Sequence, residues 1–487
     1  MIDLLLTLCL SIALPAFVRF KSLHLFFAIL FPLLVLFQIS ALIYNENYET
    51  IALNYAVPFV FSVTQISAYF AAFISFLWFF ASIYTVFYIT QNYKVKKLAK
   101  FMPFYNMAVC SSLLIAFASN LITTFIFYEI LTLSTLPLVG FNLNEESRKS
   151  IVKYTFILSF TALTMFLPAI FIFQNVIGTT EFMPSGTISS LFSQEISDSM
   201  DLHNYSYIPS SKLMLFLLIL LIFGVAKNAI FPFNGWLPAA MCAPAPVSAL
   251  LHAVAIVKSG AFITYKIIFE FYGVEYFHYL KSLYQPFFIA ITVLATLGII
   301  LASLRAIFTT DLKKILAFST ISNMTYIFLL FFTASESGMI AGFWHIAIHG
   351  VTKIGLFFIA GILYSVYHTN NYRRMSGAFN KHGILAFSMI VFSFSLMGLP
   401  LTSGFVSKQF MVSSLVNTQS LISLFAILFS TLATTIYLGK PLLYFISRTK
   451  KMILEKNIKS TVYTVLLPIA VINTVGFVLA FVLKLIH

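Results

Sequence analysis

Residues 226–260 read AKNAIFPFNGWLPAAMCAPAPVSALLHAVAIVKSG, an apolar stretch that carries two lysines and four prolines. The lysines are Lys227 and Lys258; the prolines are Pro232, Pro238, Pro244 and Pro246. A charge near the centre of a bilayer costs at least ~2.5–3.5 kcal/mol on insertion scales, so each lysine marks a functional-site hypothesis. Each proline removes a backbone donor, and the freed carbonyl needs a partner in protein or water. The stretch therefore predicts interrupted helices that hold charges inside a membrane.

The composition of the whole chain is that of an integral membrane protein. Its 487 residues are 60% hydrophobic and 9% charged, with a mean hydropathy of +0.97. A soluble domain of this composition would expose a very large apolar surface. The apolar runs are continuous rather than alternating, which favours helices over a β-barrel. At about 20 residues per span, the sequence predicts an all-α polytopic protein with about 14 transmembrane helices. Their approximate limits are 2–19, 22–44, 68–91, 104–120, 121–140, 151–177, 213–238, 243–270, 284–306, 311–333, 338–366, 383–411, 415–446 and 460–485.

The net charge of +14 reflects membrane topology rather than nucleic-acid binding. Most basic residues fall in alternate connections between the predicted helices, which is the positive-inside pattern of cytoplasmic loops. The intervening connections are acidic instead, so both chain termini are predicted to lie outside the cytoplasm. The basic residues are Arg19, Lys21, Lys94, Lys96, Lys97, Lys100, Arg148, Lys149, Lys153, Arg305, Lys313, Lys314, Arg373, Arg374, Lys381, Arg448, Lys450, Lys451, Lys456 and Lys459. The acidic residues are Glu46, Glu49, Glu181, Glu195, Asp198 and Asp201.

The sequence predicts neither a cleaved signal, a disulfide framework nor a cofactor site. Residues 1–19 lack a basic segment before their apolar run, as expected of an uncleaved first helix. Cys9, Cys110 and Cys242 have unrelated spacings, so they indicate no disulfide framework or zinc site. Dinucleotide-binding, phosphate-loop and iron–sulfur motifs are missing, and an enzyme is therefore less expected than a transporter subunit.

The chain is predicted to form one transmembrane domain, 1–487, built from two similar halves. A second interruption, GLPLTSGFVSK at 398–408, ends in Lys408. Interrupted helices in corresponding positions indicate inverted repeats, here placed at helices 4–8 (104–270) and 9–13 (284–446). The polar segment 178–211 is predicted to be an external loop, because it is too short and too polar to hold a core.

Glu129 lies about nine residues into the helix LITTFIFYEILTLSTLPLVG, at 121–140. One interpretation is a structural carboxylate that is protonated or paired with a nearby cation. The functional alternative pairs it with Lys227, so that the two groups titrate as a unit. Such a pair would act as a switch, because breaking it would release the lysine proton.

Lys227 and Lys258 lie inside predicted helices, far from the ends where lysines usually snorkel to water. His252 precedes Lys258 by six residues and does not share its helical face. The two side chains could still serve successive steps of one proton path.

The helix FWHIAIHGVTKIGLF, at 343–357, places His345, His349 and Lys353 on one face at four-residue intervals. Two histidines at this spacing can form interhelical hydrogen bonds or, as another alternative, bind a metal. Neither alternative requires a lysine in the same register. A proton path does, because histidine exchanges protons near neutral pH and a desolvated lysine can be tuned towards it.

The stretch DLKKILAFSTISNMTYI, at 311–327, opens the tenth predicted helix. Asp311 at its start complements the helix dipole, whereas Lys313 and Lys314 mark the cytoplasmic edge. We interpret these three charges as capping and topology signals.

These motifs together resemble the antiporter-like subunits shared by respiratory complex I and the Mrp multisubunit Na⁺/H⁺ antiporters. The resemblance rests on five motifs within about 120–410: FYEILTLSTLPLV, AKNAIFPFNGWLPAAMCAPAPVSALLHAVAIVKSG, DLKKILAFSTISNM, HIAIHGVTKIGLFFIAG and GLPLTSGFVSKQF. It implies 14 helices, two inverted five-helix repeats, broken helices 7 and 12, and a hydrated row of charged residues.

The resemblance also implies a role for each candidate residue in proton translocation. Glu129 and Lys227 would form the pair between helices 5 and 7, with Lys258 as the bridging residue. Histidines and Lys353 would form a central relay, and Lys408 would be the exit lysine. The relay histidines are His345 and His349, whereas His252 belongs to the proton-translocating set through the motif that also carries Lys227 and Lys258. No catalytic, cofactor or metal residue is implied.

Three positions depart from the family pattern. Asn234 stands where the family usually has a histidine, and Ala240 replaces the aspartate of its W-L-P-D-A motif. Gln409 follows the terminal lysine, at the position where the long complex I subunit has an acidic residue. These changes remove polar or titratable groups at the margins of the relay and leave the four lysines in place.

Length and the motif around Glu129 most resemble D-type Mrp subunits. The implied function is a proton-translocating subunit of a cation (Na⁺ or K⁺)/proton antiporter in a bacterial inner membrane, working with other membrane subunits. One alternative is a short proton-pumping subunit of an NADH:quinone oxidoreductase or a membrane-bound hydrogenase. Another is a non-transporting assembly scaffold, which the intramembrane lysines argue against.

Overall fold

A computed structural model describes residues 1–44, 50–54, 58–142, 144–198, 209–379, 382–447 and 465–474. Within these ranges, ten helices are long and apolar enough to cross a membrane, and three shorter helices are also apolar. The predicted all-α membrane class is confirmed. Thirteen of the fourteen predicted helices have a described counterpart. Most of the fourteenth, 460–485, lies outside the described residues, as do Glu46, Glu49, Asp201, Lys381, Arg448, Lys450, Lys451, Lys456 and Lys459.

The first part of the chain forms a helical layer and a short hairpin. Its elements are α1 (Ile2–Phe17), α2 (Lys21–Tyr44), β1 (Thr50–Asn54), β2 (Pro58–Ser62), α3 (Gln65–Asn92), α4 (Leu98–Phe117), α5 (Leu121–Val139), α6 (Glu145–Thr161), α7 (Leu167–Val176) and α8 (Thr187–Asp198).

The remaining helices include both predicted interruptions. They are α9 (Ser211–Gly224), α10 (Trp236–Ala239), α11 (Ala245–Ala249), α12 (Ile256–Tyr265), α13 (Val274–Leu283), α14 (Gln285–Phe308), α15 (Leu312–Phe331), α16 (Glu336–Tyr367), α17 (Gly383–Met397), α18 (Ser403–Asn417) and α19 (Leu421–Ile446).

Two features differ from the sequence predictions. Strands β1 and β2 pair antiparallel, with Ile51 opposite Phe61, where no strand was predicted. The turn between α4 and α5 holds this hairpin, because the amide of Ser119 donates to the carbonyl of Val60 at 2.9 Å. The predicted loop 178–211 contains helix α8, so it is not an irregular connection throughout.

The centre of the bundle is the span from Ala245 to Tyr272, in which every residue is buried. Helices α11 and α12 are joined by a wide helical turn at 250–254, and a second wide turn follows α12 at 266–272. Such π-type turns are frequent at functional sites because they release backbone groups from the regular ladder. His252 and Lys258 therefore lie on an irregular helix that is buried along its whole length.

The first interruption separates α9 from α10. Helix α9 ends at Gly224, and a short turn, Ala226–Asn228, carries Lys227. Lys227 thus lies in the break itself and not inside the predicted helix 213–238. The indole of Trp236 donates to the carbonyl of Ala226 at 3.0 Å, which satisfies one of the freed backbone acceptors.

A glycine lets this break approach the central span. A Cβ atom at Gly260 would collide with the backbone of Lys227 and Asn228. The second break is built differently, because Gly398 adopts a φ of +77° that ends α17 before α18 begins. Both predicted interruptions, in helices 7 and 12, are confirmed.

Candidate functional site: buried lysines and histidines

Lys227 is fully buried and bound by helix α5. Its Nζ atom donates to the carbonyl of Tyr128 at 2.7 Å and to the hydroxyl of Thr132 at 2.6 Å. It also lies 3.0 Å from the centroid of the Tyr128 ring. These neutral acceptors and the ring face stabilise an ammonium without an ion pair.

The predicted direct pairing of Glu129 with Lys227 is not present in this structure. The two side chains interact electrostatically but form no ion pair within 4.0 Å. The Oε1 atom of Glu129 is buried and has no hydrogen-bond partner among the described residues. The ion pair is absent because the Lys227 ammonium donates to Tyr128 and Thr132, on the face of α5 that contacts the break. An unpartnered buried acceptor costs about 1–3 kcal/mol and is often tied to function.

The two predicted halves meet at a contact between Lys258 and His349. Lys258 Nζ of helix α12 lies 2.8 Å from His349 Nδ1 of helix α16, and both side chains are buried. One neutral partner accepts the proton that the other donates, so a proton can move between them without a water molecule. His349 Nε2 has no partner among the described residues. The imidazole can therefore pass a proton onward.

His345 lies one turn from His349 and has both ring nitrogens bound. Nδ1 is 2.9 Å from the hydroxyl of Ser407, and Nε2 is 2.9 Å from the amide oxygen of Asn323. The rings of His345 and His349 are 6.0 Å apart at their centroids. Ser407 directly precedes Lys408, so the hydrogen bond of His345 connects helix α16 to helix α18, which follows the second break.

Lys353 and Lys408 are held by backbone carbonyls. Lys353 Nζ donates to Leu316 O at 2.9 Å and is fully buried. Lys408 Nζ donates to Met397 O at 3.0 Å and to Thr431 Oγ1 at 3.1 Å. Met397 is the last residue of helix α17, so its carbonyl has no partner within the helix and accepts the hydrogen bond from Lys408.

His252 is the member of the predicted set with the fewest polar contacts. Its ring stacks on Phe357 at 4.7 Å between centroids. Both ring nitrogens are buried without a hydrogen-bond partner among the described residues. It lies in the wide turn at 250–254, close enough to Lys258 and Lys353 to interact with both electrostatically.

The arrangement as a whole is a row of cations without carboxylate partners. Lys227, Lys258 and Lys353 are fully buried, and no carboxylate lies within 4.0 Å of any of the four lysines in the described part of the chain. An isolated buried charge is so costly that such groups tend to become neutral. A lysine that gains and loses its proton is what stepwise proton transfer requires.

The metal alternative for the two histidines does not fit this geometry. Both ring nitrogens of His345 are already hydrogen-bonded, to Ser407 and Asn323, so this imidazole offers no free nitrogen to a metal ion. The described residues contain no cluster of three or more metal-ligating side chains. His345 and His349 are instead placed for hydrogen bonding and proton exchange.

The interpretation of the helix α15 start is partly confirmed. Asp311 Oδ1 accepts the amide of Lys314 at 3.0 Å, as a helix cap should. Lys313, in contrast, is buried and donates to the carbonyl of Ala243 at 2.6 Å. It therefore ties α15 to the first broken helix instead of reaching water.

Sequence reasoning missed a buried ion pair at the end of the central span. Lys266 Nζ lies 3.5 Å from Glu270 Oε2, and both side chains are almost completely buried. The signal was present, because the two residues are four apart on one helix face. It was overlooked because charges near a predicted helix end usually reach water. The polar partners Asn323 and Ser407 were also missed, since long-range contacts leave no periodic pattern.

Curated proteins similar to this chain bear the names of antiporter subunits and of an NADH-quinone oxidoreductase subunit. A protein of Staphylococcus haemolyticus that bears the name antiporter subunit mnhA2 is 30% identical, over 68% of this chain and 40% of its own length. A protein of Rhizobium meliloti that bears the name of a K⁺/H⁺ antiporter component is 30% identical, over 72% of this chain and 32% of its own length. NADH-quinone oxidoreductase subunit L of Buchnera aphidicola is 28% identical, over 70% of this chain and 51% of its own length. The chain thus spans about a third to a half of these relatives.

Two solved structures share the fold. A chain of the archaeal membrane-bound sulfane sulfur reductase complex aligns with a TM-score of 0.79 at 19% identity, covering 99% of this chain and 94% of that chain. A chain of the Mrp complex from Dietzia sp. DQ12-45-1b aligns with a TM-score of 0.78 at 19% identity, covering 98% and 50%.

A family model described as NADH:quinone oxidoreductase/Mrp antiporter, transmembrane, matches residues 118–434. That range includes every candidate residue from Glu129 to Lys408. The sequence resemblance is therefore confirmed: this multi-pass membrane protein belongs to the NADH:quinone oxidoreductase/Mrp antiporter transmembrane family.

Proposed function

We propose that this chain is the proton-translocating subunit of a multisubunit monovalent cation/proton antiporter, with Na⁺ or K⁺ as the exchanged cation. Protons move along an intramembrane row of side chains that begins at Glu129 and Lys227 and ends at Lys408. Lys258, His252 and the relay helix α16 connect the two ends. The relay residues of α16 are His345, His349 and Lys353.

The observation that carries this proposal is the 2.8 Å contact between Lys258 and His349. It joins a side chain of the first predicted half to one of the second, in a region closed to lipid. A structural role alone would not favour a lysine here, because a neutral side chain could fill the same space without desolvating a cation. Proton transfer between the halves requires such a contact.

The two broken helices support the proposal because each presents its lysine in the same way. Lys227 and Lys408 each donate to one backbone carbonyl and one threonine hydroxyl. Each lies at or just after a break in its helix. Equivalent environments at both ends of the row are expected of inverted repeats that perform the same step in two halves.

The relatives favour a cation antiporter and keep one second candidate open. Two of the similar proteins bear antiporter names, and one bears the name of NADH-quinone oxidoreductase subunit L. A proton-pumping component of an NADH:quinone oxidoreductase would use the same residues, coupled to a redox partner. The composition of the complex that copurifies with the chain separates the two. Resemblance to D-type Mrp subunits remains a sequence-based prediction, because neither antiporter relative bears a D-type name.

We further propose that the chain works in the inner membrane of a bacterium, assembled with other membrane subunits. Both antiporter relatives are bacterial, and both fold relatives come from multisubunit complexes. Transport is therefore to be measured on the assembled complex.

Replacing Glu129 with glutamine should slow pH-gradient-coupled transport at least about tenfold, the equivalent of ~1.4 kcal/mol in a barrier. Glutamine keeps the shape and removes the titrating carboxylate beside Lys227. Transport is measured in vesicles that contain the assembled complex. Glu145→Gln is the matched control, because Glu145 lies on the surface with its side chain 80% exposed. If the Glu129→Gln complex assembles and transports at the wild-type rate, Glu129 and Lys227 do not act as a proton-releasing switch.

Cysteines placed at Lys97 and Ser193 should be labelled from opposite sides of the membrane. Both side chains are exposed, at opposite ends of helix α3. Its 28 residues span about 42 Å. The positive-inside pattern of the sequence predicts that Lys97 lies in the cytoplasm and that both termini lie outside it. A membrane-impermeant thiol reagent, applied to a variant lacking Cys9 and Cys242, measures the side. Labelling of both from one side would contradict the topology.

A further inference from the structure

A large cavity opens at the end of the bundle opposite the basic loops. Its volume is about 1020 Å³, and its walls come from the start of α3, the segment before α8 and the starts of α13 and α16. Three carboxylates line it: Glu270, Glu275 and Glu336. Water can enter an open cavity of this size, so protons from bulk solvent can reach the carboxylates that line it.

The buried pair Lys266–Glu270 forms part of the wall of this cavity. Glu270 Oε2 lies 3.5 Å from Lys266 Nζ, which also donates to the carbonyl of Ala118 at 2.6 Å. The rings of Phe182 and Phe262 lie 4.8 Å and 5.6 Å from the ammonium. Lys266 and Glu270 thus line the cavity while both side chains stay almost completely buried.

A polar contact lies between this pair and the lysine row along the chain. Lys266 lies eight residues after Lys258 on the central span, or about 12 Å along a regular helix. Between them, Thr264 Oγ1 accepts from Asn228 Nδ2 at 3.0 Å, and Asn228 follows Lys227 in the first break. Asn228 Oδ1 is buried and has no partner among the described residues. An amide oxygen in this position can accept a hydrogen bond from a group between the pair and the row.

We propose that Lys266 and Glu270 are the site at which protons enter or leave the lysine row through the outer cavity. The proposal rests on the proposed function and adds its outer terminus. A hydronium ion in the cavity gives a proton to the Glu270 carboxylate and becomes water. The neutral carboxyl no longer holds the Lys266 ammonium, which passes its proton inwards. Glu270 then returns its proton to the neutral amine, and the pair is restored.

The alternative is an ion pair that only fastens the external segment to the bundle. One contact agrees with this structural role: the backbone carbonyl of Glu270 accepts the backbone amide of Met183, in the external segment, at 3.0 Å. The two roles respond differently to removal of both charges. Replacing both partners of a buried pair by neutral isosteres can be nearly neutral for stability, whereas removing one leaves an unpaired charge. A structural pair therefore tolerates the double neutral variant, but a proton site does not.

The test compares transport by the assembled complex in vesicles. Lys266→Gln/Glu270→Gln should assemble normally and transport at least about tenfold more slowly than wild type. Glu145→Gln/Lys149→Gln removes a second pair with the same spacing, but on the surface, and should change nothing. Lys258→Ala, measured in parallel, tests the proposed function separately. Wild-type transport by Lys258→Ala would contradict the proposed function. Wild-type transport by Lys266→Gln/Glu270→Gln, together with loss of transport in Lys258→Ala, would contradict only the proposed outer site.

A second variant, Lys266→Arg, tests the proposal in case Lys266→Gln/Glu270→Gln does not assemble. Lys266→Arg keeps the positive charge and the ion pair, but guanidinium does not release its proton. We expect Lys266→Arg to assemble and to transport at least about tenfold more slowly than wild type. Wild-type transport by Lys266→Arg would overturn the proposal, because the pair would then serve only to hold the structure together.

Discussion

Replacing Lys258 with alanine should slow pH-gradient-coupled transport by roughly a hundredfold, the equivalent of a barrier raised by ~3 kcal/mol. The lysine is the hydrogen-bond partner of the His349 ring, at 2.8 Å, and it joins the two halves of the row. Without it, a proton must cross an apolar gap in which a charge faces a desolvation cost of several kcal/mol. No other side chain in the described site makes an equivalent contact between the halves.

Lys258→Arg separates the charge from the exchangeable proton. Arginine keeps a cation beside His349 but remains protonated, so it should be nearly as inactive as alanine. Lys149→Ala is a suitable control, because that side chain is 77% exposed and far from the row. Each variant needs a check that the complex assembles, since a cavity in the central span also lowers stability. Transport near the wild-type rate by Lys258→Arg would make Lys258 a fixed structural charge.

The architecture was largely predictable because membranes impose strong local rules. Long apolar runs predicted the helices, and prolines or glycines beside Lys227 and Lys408 predicted both interruptions. The four-residue spacing of His345, His349 and Lys353 placed them correctly on one helix, α16. Each of these features is encoded within one segment of the chain.

What escaped prediction depends on contacts between distant segments. Lys227 binds Tyr128 and Thr132 instead of forming a close pair with Glu129, and that choice follows from how the break docks on α5. The contact between Lys258 and His349 joins positions 91 residues apart, which no local pattern encodes. The hairpin at β1 and β2 was missed because each of its strands is only five residues long.

Removing either terminal lysine, Lys227 or Lys408, should stop most transport, and removing both should cost little more. Each lysine is satisfied by a carbonyl and a hydroxyl that cannot replace its titrating amine. In a series path, one missing step limits the whole rate, so each single variant should fall by roughly a hundredfold. Residues that act as a unit give non-additive losses of this kind. Two parallel paths would instead give small losses in the single variants and a much larger loss in the double variant.

The central claim, a single series path through both halves, is tested most directly by the transport rates of Lys227→Ala, Lys408→Ala and the double variant. The three complexes are reconstituted in vesicles at matched assembly, and the initial rate of pH-gradient-coupled cation transport is measured for each. The account predicts that all three rates fall by roughly a hundredfold and agree within a few-fold of one another. Transport by Lys408→Ala at the wild-type rate, or a double variant slower by the product of the single losses, would contradict it.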